Sequence, residues 1–291
     1  MVKTFAELYL ESRRAIAAKE DKEIASLYAR NLLCFVVGKK PEEMLADMQM
    51  YASQEICDKM SALVLRVLSG EPLAYILGQW DFHGMTLHVN KNVLIPRDDT
   101  CAVTDLAIRK ALFLDASPRI LDLCTGSGCI GLAIANRVKD ARVTLADISR
   151  DAIAVAKKNI SAYKLSGRVS CVIADALSEP PGFLGKFDMI VSNPPYITTA
   201  EMEELDESVK KYEPNLALHG GTDGLDFYRA IAKNYATALK PGGVLCFEFG
   251  RGQGDSVRQI LKSNGFIILE STRDYNDIER AVIAQYGRKE D

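Results

Sequence analysis

With 291 residues, 48% of them hydrophobic and 26% charged, the chain is too long for one small domain and has the composition of a folded protein, which argues against disorder. A net charge of −3 lacks the strongly basic surface of a general nucleic-acid binder and so weakens, while leaving open, a DNA or RNA substrate. No apolar run reaches the roughly 18 to 20 residues of a membrane span and no signal-peptide pattern is present, so the expected setting is the cytoplasm, with no membrane partner.

In chain order, residues 1–78 read as a small helical bundle. Apolar residues recur at three- and four-residue spacing in "TFAELYLESRRAIAAKE", "EIASLYARNLLCFVVG" and "SQEICDKMSALVLRVLSG", with Thr4 and Ser53 as N-caps and Gly38 and Gly70 as stops. Residues 79–97 change to short alternating stretches broken by Gly84 and Asn90-Lys91-Asn92, which predicts a β-hairpin linker. From residue 98 to 291 helical stretches alternate with the apolar strands "RILDL", "RVTLAD", "VSCVIAD", "FDMIVS" and "GVLCFEF", the pattern of a doubly wound α/β sheet with ligands at the carboxyl ends of its strands. Two final strands, joined by a loop too short for a crossover helix, are expected to pair antiparallel and complete seven strands. The seven cysteines form no CxxC pair and read as reduced, mostly core thiols. The three histidines read as structural or surface groups, and no metal is expected.

"RILDLCTGSGCIGLAIA" is a strand, a glycine-rich turn and a helix. Its glycines Gly126, Gly128 and Gly131 fit G-x-G-x-x-G, and Asp147 falls about 20 residues on, where a ribose-binding acid belongs. The pattern suits a nicotinamide cofactor nearly as well as S-adenosylmethionine. Asp122 inside the strand, with Thr125 and Ser127 in the turn, tilts it toward the latter, because a pyrophosphate at the helix N-terminus disfavours a nearby acid. In this reading Gly126 and Gly128 let the backbone pass close to the cofactor and Asp147, followed by Ile148, accepts from the ribose hydroxyls. Asp175 accepts from the adenine amino group, with Ala176 beside the ring. Asp147 as a cap of the next helix, and Asp175 in an ordinary strand-end turn, are the simpler alternatives.

"IVSNPPYI" raises the sharper question of why a buried strand ends in Asn193-Pro194-Pro195-Tyr196. Two prolines fix the backbone and donate no hydrogen. A planar NH2 group can then give one hydrogen to the Asn193 side-chain oxygen and the other to the Pro194 carbonyl, with Tyr196 stacked alongside. Such a pair of acceptors stabilises the charge that grows on a delocalised nitrogen during methyl transfer. An amide nitrogen and an exocyclic amino nitrogen of a DNA or RNA base both satisfy this geometry.

The glycine loop, the Asn-Pro-Pro-Tyr corner, "GEPLAYILGQWDFHG", "VLIPR" and "YEPNLALHGGTDGLDFYR" together resemble the protein-glutamine N5-methyltransferases of the HemK/PrmC type, over nearly the whole chain. The resemblance implies a class I S-adenosylmethionine-dependent methyltransferase fold, with the last strand antiparallel. It also implies transfer of a methyl group to the Gly-Gly-Gln glutamine of class 1 peptide-chain release factors, with no stable nucleic-acid partner. The family's cofactor loop falls on Thr125 to Gly128, its acids on Asp147 and Asp175, its substrate corner on Asn193 to Tyr196, and its release-factor grip on the helical N-terminal domain. Three positions depart: Asp98 where proline is usual, Cys124 where glycine is common, and Ala176 where some members carry a bulky aromatic. Glu213-Pro214 is expected to wall the substrate pocket, or else to belong to a structural crossover loop.

Overall fold

A computed structural model describes residues 3–114 and 116–287, and the chain divides into two compact units, Met1–Gly78 and Gln79–Asp291. The first unit contains α1 (Phe5–Ile16), α2 (Lys22–Val37), α3 (Pro41–Asp47), α4 (Gln54–Leu68) and α5 (Leu73–Leu77). Thr4 closes a capping box with Glu7, the Thr4 N–H donating to Glu7 Oε2 at 2.8 Å and the Glu7 N–H to Thr4 Oγ1 at 3.2 Å. Asp21 caps α2 and Ser53 caps α4, while Gly38 ends α2 in the left-handed region that a residue without Cβ enters freely. Leu8, Ile16, Ala29, Leu32, Leu33 and Met60 fill the core between them. The helices α3 and α5 were not separate in the sequence pattern. Each is too short to show a period, and α3 starts on Pro41, whose missing N–H costs nothing at a first helical position.

In the second unit β1 (Gln79–Phe82) and β2 (Met85–His88) form the expected hairpin, followed by α6 (Thr100–Ala111), β3 (Arg119–Leu123), α7 (Cys129–Arg137), β4 (Arg142–Asp147), α8 (Arg150–Ala162), β5 (Val169–Ile173) and β6 (Phe187–Ser192). The chain continues through α9 (Thr199–Glu204), α10 (Glu207–Tyr212), α11 (Asp226–Asn234), β7 (Leu239–Glu248), α12 (Gly254–Ser263), β8 (Phe266–Arg273) and β9 (Glu279–Tyr286). The sheet order is β5-β4-β3-β6-β7-β9-β8, with β9 antiparallel to both its neighbours and the other pairs parallel. Seven strands and the antiparallel last strand are as the sequence predicts. Over "LDFYRAIAKNYATALK" α11 stops at Asn234, a 3-10 turn follows over Tyr235–Ala238, and Leu239 and Lys240 belong to β7. Pro241 holds Lys240 extended, because the residue before a proline is pushed out of the helical region.

One hydrophobic cluster on each sheet face holds these layers together. Val103, Leu106, Ile134 and Ala156 belong to the first, and Tyr228, Tyr235, Phe247 and Phe249 to the second. Buried Asn159 on α8 ties the hairpin to the glycine turn: it accepts from the His88 N–H at 2.7 Å and donates to the carbonyls of His88 and Ser127 at 3.0 and 2.9 Å. Among the described residues no helix is long and apolar enough to cross a membrane, and no group of three or more His, Cys, Asp or Glu is placed to hold a metal. The seven cysteines are free; Cys34 and Cys246 are buried and the other five half-buried.

Candidate active site

The order of the sheet reverses between β3 and β6, and the crevice lies outside the carboxyl ends of these strands. Leu123 pairs with Ala146 on one side and Ser192 on the other, so the glycine turn after β3 stands between Asp147 and Asn193. Gly126 and Gly128 have φ of 55° and 85°, and an added Cβ at Gly131 would stand 2.3 Å from the Leu145 side chain and 2.9 Å from the Asp122 carboxylate. The first two glycines shape the turn and the third lets α7 close on the sheet.

Asp122 lies behind this turn and pins it. Its Oδ2 accepts from the Thr125 hydroxyl at 2.6 Å and from the Gly131 N–H at 2.8 Å, while Oδ1 is buried without a partner. Burial pushes its carboxyl up to about 7, against the two hydrogen bonds that favour the charged form. Thr125, Gly126 and Ser127 line the crevice; Asp122 and Gly128 support it from behind. Ser127 Oγ lies by the Cys129 thiol, buried and with no nitrogen or oxygen partner.

Asp147 ends β4 at the crevice wall. Its Oδ2 accepts from the Gly126 N–H and its Oδ1 from the Ser149 N–H, both at 2.9 Å, so the carboxylate is fixed while each oxygen keeps a further lone pair. The cap of α8 is Ser149, whose Oγ accepts from the Ala152 N–H at 3.1 Å. Burial raises the Asp147 carboxyl above its usual range, and the N–H donors of Ser149, Gly126 and Ile148 oppose the shift. Ile148 is 47% exposed on the same wall. Asp175 lines the crevice and also makes the strand-end turn, accepting from the Leu177 N–H at 2.9 Å and the Ser178 hydroxyl at 2.7 Å. Ala176 is buried beside it.

The corner begins where β6 stops. Asn193 and Pro195 line the crevice, and Asn193 Nδ2 donates to Thr100 Oγ1 at 3.3 Å, which leaves Oδ1 as the other arm of the amide. Pro194 is buried outside the crevice lining. The Tyr196 ring packs toward Gly250 and the second hydrophobic cluster, and burial raises its phenol well above the ordinary value.

The segment "YEPNLALHGGTDGL" seats this corner. The Ile197 N–H donates to the Leu218 carbonyl at 3.0 Å and the Gly220 N–H to the Ile197 carbonyl at 2.8 Å. A Cβ at Gly220 would stand 2.7 Å from the Pro195 carbonyl oxygen and from Tyr196 Cα, and one at Gly224 2.2 Å from the Tyr196 carbonyl oxygen. Buried Glu213 pairs with Arg97 and accepts from the Ile95 N–H at 3.3 Å, joining the "VLIPR" and "YEP" stretches. Of the Glu213-Pro214 pair expected to wall the pocket, Pro214 lines the crevice and Glu213 does not.

The sequence reading missed the apolar walls. Val93, Leu94, Pro96, Leu216 and Phe227 line a space of about 1030 Å³, its solvent-open part included. Their signal is faint, because they lie in irregular segments that no periodicity marks. It also missed Glu248, at the carboxyl end of β7, which is 2% exposed.

These residues fit S-adenosylmethionine. A glycine turn without side-chain obstruction at Gly126, an orphaned Ser127 hydroxyl, a fixed Asp147 carboxylate and an apolar wall suit a ribonucleoside carrying a charged amino-acid tail.

Comparison with known proteins gives a consistent picture. Residues 6–78 match the PrmC N-terminal domain and residues 104–211 the methyltransferase small domain. Proteins named release factor glutamine methyltransferase from Clostridium acetobutylicum, Chlorobaculum tepidum and Geobacter sulfurreducens are 43%, 39% and 38% identical to this chain. The alignments cover 74%, 94% and 96% of it and 75%, 94% and 95% of those proteins.

Proposed function

Because the chain belongs to the release factor glutamine methyltransferase family, we propose that it methylates the side-chain amide nitrogen of the glutamine in the Gly-Gly-Gln loop of class 1 peptide-chain release factors, with S-adenosylmethionine as donor. The observation that carries the reading is that Asn193 and Pro195, at the end of β6, line the same crevice as Gly126 and Asp147. When bound, S-adenosylmethionine supplies an electrophilic methyl on a sulfonium.

The chain's own residues do the rest. Asp147 has lone pairs for the ribose hydroxyls, and Asp175 with Ala176 bounds the adenine side. Asn193 Oδ1 and the Pro194 carbonyl accept the two hydrogens of the substrate amide, which orients its nitrogen and stabilises the positive charge that develops there. The apolar walls at Val93, Leu94 and Leu216 exclude water, which strengthens both hydrogen bonds. The proton lost from nitrogen ends on bulk water, since neither amide oxygen is basic enough to keep it.

Residues 1–78 form the release-factor grip in this reading, and the apolar side chains of Leu45, Leu65 and Phe35, exposed at 77%, 67% and 46%, support it. Residues 79–97 carry the hairpin and the Ile95–Arg97 stretch into the catalytic domain of 98–291. The setting we infer is the cytoplasm, where translation runs and free cysteines persist, and the acidic balance fits a protein rather than a nucleic-acid partner.

Incubation with methyl-labelled S-adenosylmethionine and a release factor tests the reaction. Label is expected on the factor and absent once the Gly-Gly-Gln glutamine is replaced; label that survives the replacement rejects the proposal. Asn193→Ala is expected to lower kcat by about 100-fold or more, the scale of losing a transition-state hydrogen-bonding group. Calorimetry with S-adenosylhomocysteine should show cofactor-site affinity within about threefold of the parent, because Asn193 acts mainly on the substrate.

A further inference from the structure

Three buried polar atoms among the described residues have no hydrogen-bond partner: Asp122 Oδ1, Ser127 Oγ and Glu248 Oε2. The first two belong to the glycine turn. Glu248 has so far no part in the reaction, and an unpartnered buried carboxylate oxygen is costly enough to need a reason.

Sheet register gives its location. Ser192 pairs with Phe247 on the parallel strands β6 and β7, so the next residues, Asn193 and Glu248, stand side by side at the carboxyl ends, with side chains on one face. Thr100, the first residue of α6, completes a triangle. Its hydroxyl and the Asn193 amide stand next to the Glu248 carboxyl, and Asn193 Nδ2 donates to Thr100 Oγ1 at 3.3 Å. Thr100 and Asn193 line the crevice; Glu248 lies behind them.

An amide can sit either way round, and the proposed reaction works only one way. Oδ1 turned into the crevice accepts a hydrogen from the substrate amide, whereas Nδ2 turned there opposes an N–H with an N–H. A carboxyl keeps an acceptor oxygen whether or not it carries a proton, and with Nδ2 already donating to Thr100 Oγ1 the Asn193 amide has its NH2 on that side. We infer that Glu248 is a positioning residue for methyl transfer: with Thr100 it holds Nδ2 of Asn193 toward the protein and so presents Oδ1 to the incoming amide. The role rests on the reaction proposed above, while the amide orientation itself does not.

The test uses full-length E248Q, nearly isosteric, and E248A. A glutamine at 248 keeps an acceptor oxygen beside a donor, as a protonated carboxyl does, so E248Q is expected to lower kcat by no more than about threefold and E248A by about 50-fold or more, with affinity for S-adenosylhomocysteine within about twofold in both. The second readout is the nitrogen–proton spectrum of the Asn193 side-chain NH2, assigned by its loss in Asn193→Asp. In the parent the pair is expected at hydrogen-bonded shifts, and in E248A at ordinary solvated ones. Unchanged kcat in both variants, or an Asn193 signal that E248A does not move, overturns the inference. If the parent protein methylates no release factor, the proposed function fails, and the NH2 signal still decides whether Glu248 orients Asn193.

Discussion

At the scale of single residues, the departures from the family pattern have physical consequences that differ in kind. Cys124 has φ of 61°, the left-handed region where a side chain costs about 1 to 2 kcal/mol and glycine costs nothing. The sequence shows a cysteine in place of the common glycine; only the backbone shows why glycine is common. Cys124→Gly is therefore expected to stabilise the protein by about 0.4 to 1 kcal/mol, read as a rise in the urea midpoint at unchanged slope. Asp147 is the opposite case, since its carboxylate serves the turn and the crevice together. Asp147→Ala removes the acceptor for the Gly126 and Ser149 N–H groups as well as the expected ribose contact. A charge-assisted hydrogen bond is worth about 1.5 to 3 kcal/mol, so S-adenosylhomocysteine should bind roughly 10- to 100-fold more weakly by calorimetry. Asp98 contributes no ion pair among the described residues, whereas its neighbour Asp99 pairs with Arg280 at 2.8 Å and so anchors the start of α6 without the usual proline.

At the scale of elements, the strands were legible and their seating was not. β3, β6 and β7 carry short apolar runs near glycine or proline, β4 carries one as well, and alternation with helices fixes a parallel sheet, so the switch point and its acids follow. Thr4, Ser53 and Gly38 act locally, and their caps are readable for the same reason. α9 and α10 were invisible, because six-residue helices show less than two turns of period. The contact between the 213–224 segment and the corner is equally hidden, as it joins residues that sequence distance separates. Glycine at 220 announces only a possible turn; its necessity comes from Pro195 and Tyr196 lying where a Cβ would stand. Gly220→Ala should therefore shift the corner rather than unfold the domain. The expected outcome is a kcat lower by about tenfold or more with S-adenosylhomocysteine affinity nearly unchanged, since sub-ångström misplacement of reacting groups is enough to slow transfer. An unchanged kcat would mean that the segment gives way and the seat is dispensable.

At the scale of the whole molecule, two buried carboxyl groups tie catalytic architecture to stability. Burial pushes Asp122 up to about 7 and Glu248 up to about 8, from ordinary values of 3.8 and 4.5. Between about pH 4 and 8 the folded protein thus holds protons that the unfolded chain has released. The folded state binds more protons, so stability falls as pH rises through this window and levels off above it, with each retained proton worth at most about 1.4 kcal/mol per pH unit. This is the reverse of the behaviour given by salt-bridged surface acids. Asp99, Arg280 and Tyr196 share the field around Glu248, and the Asp274–Arg280 pair at 2.9 Å stays charged throughout the range. Trp80, the single tryptophan, lies on β1 of the catalytic unit and reports its unfolding. Urea transitions followed by its fluorescence are expected to have a lower midpoint at pH 8 than at pH 6. E248Q should flatten that difference, since its side chain does not titrate. A midpoint that rises with pH would show that neither carboxyl is held protonated by the fold, and an E248Q profile parallel to the parent's would show that Glu248 is not.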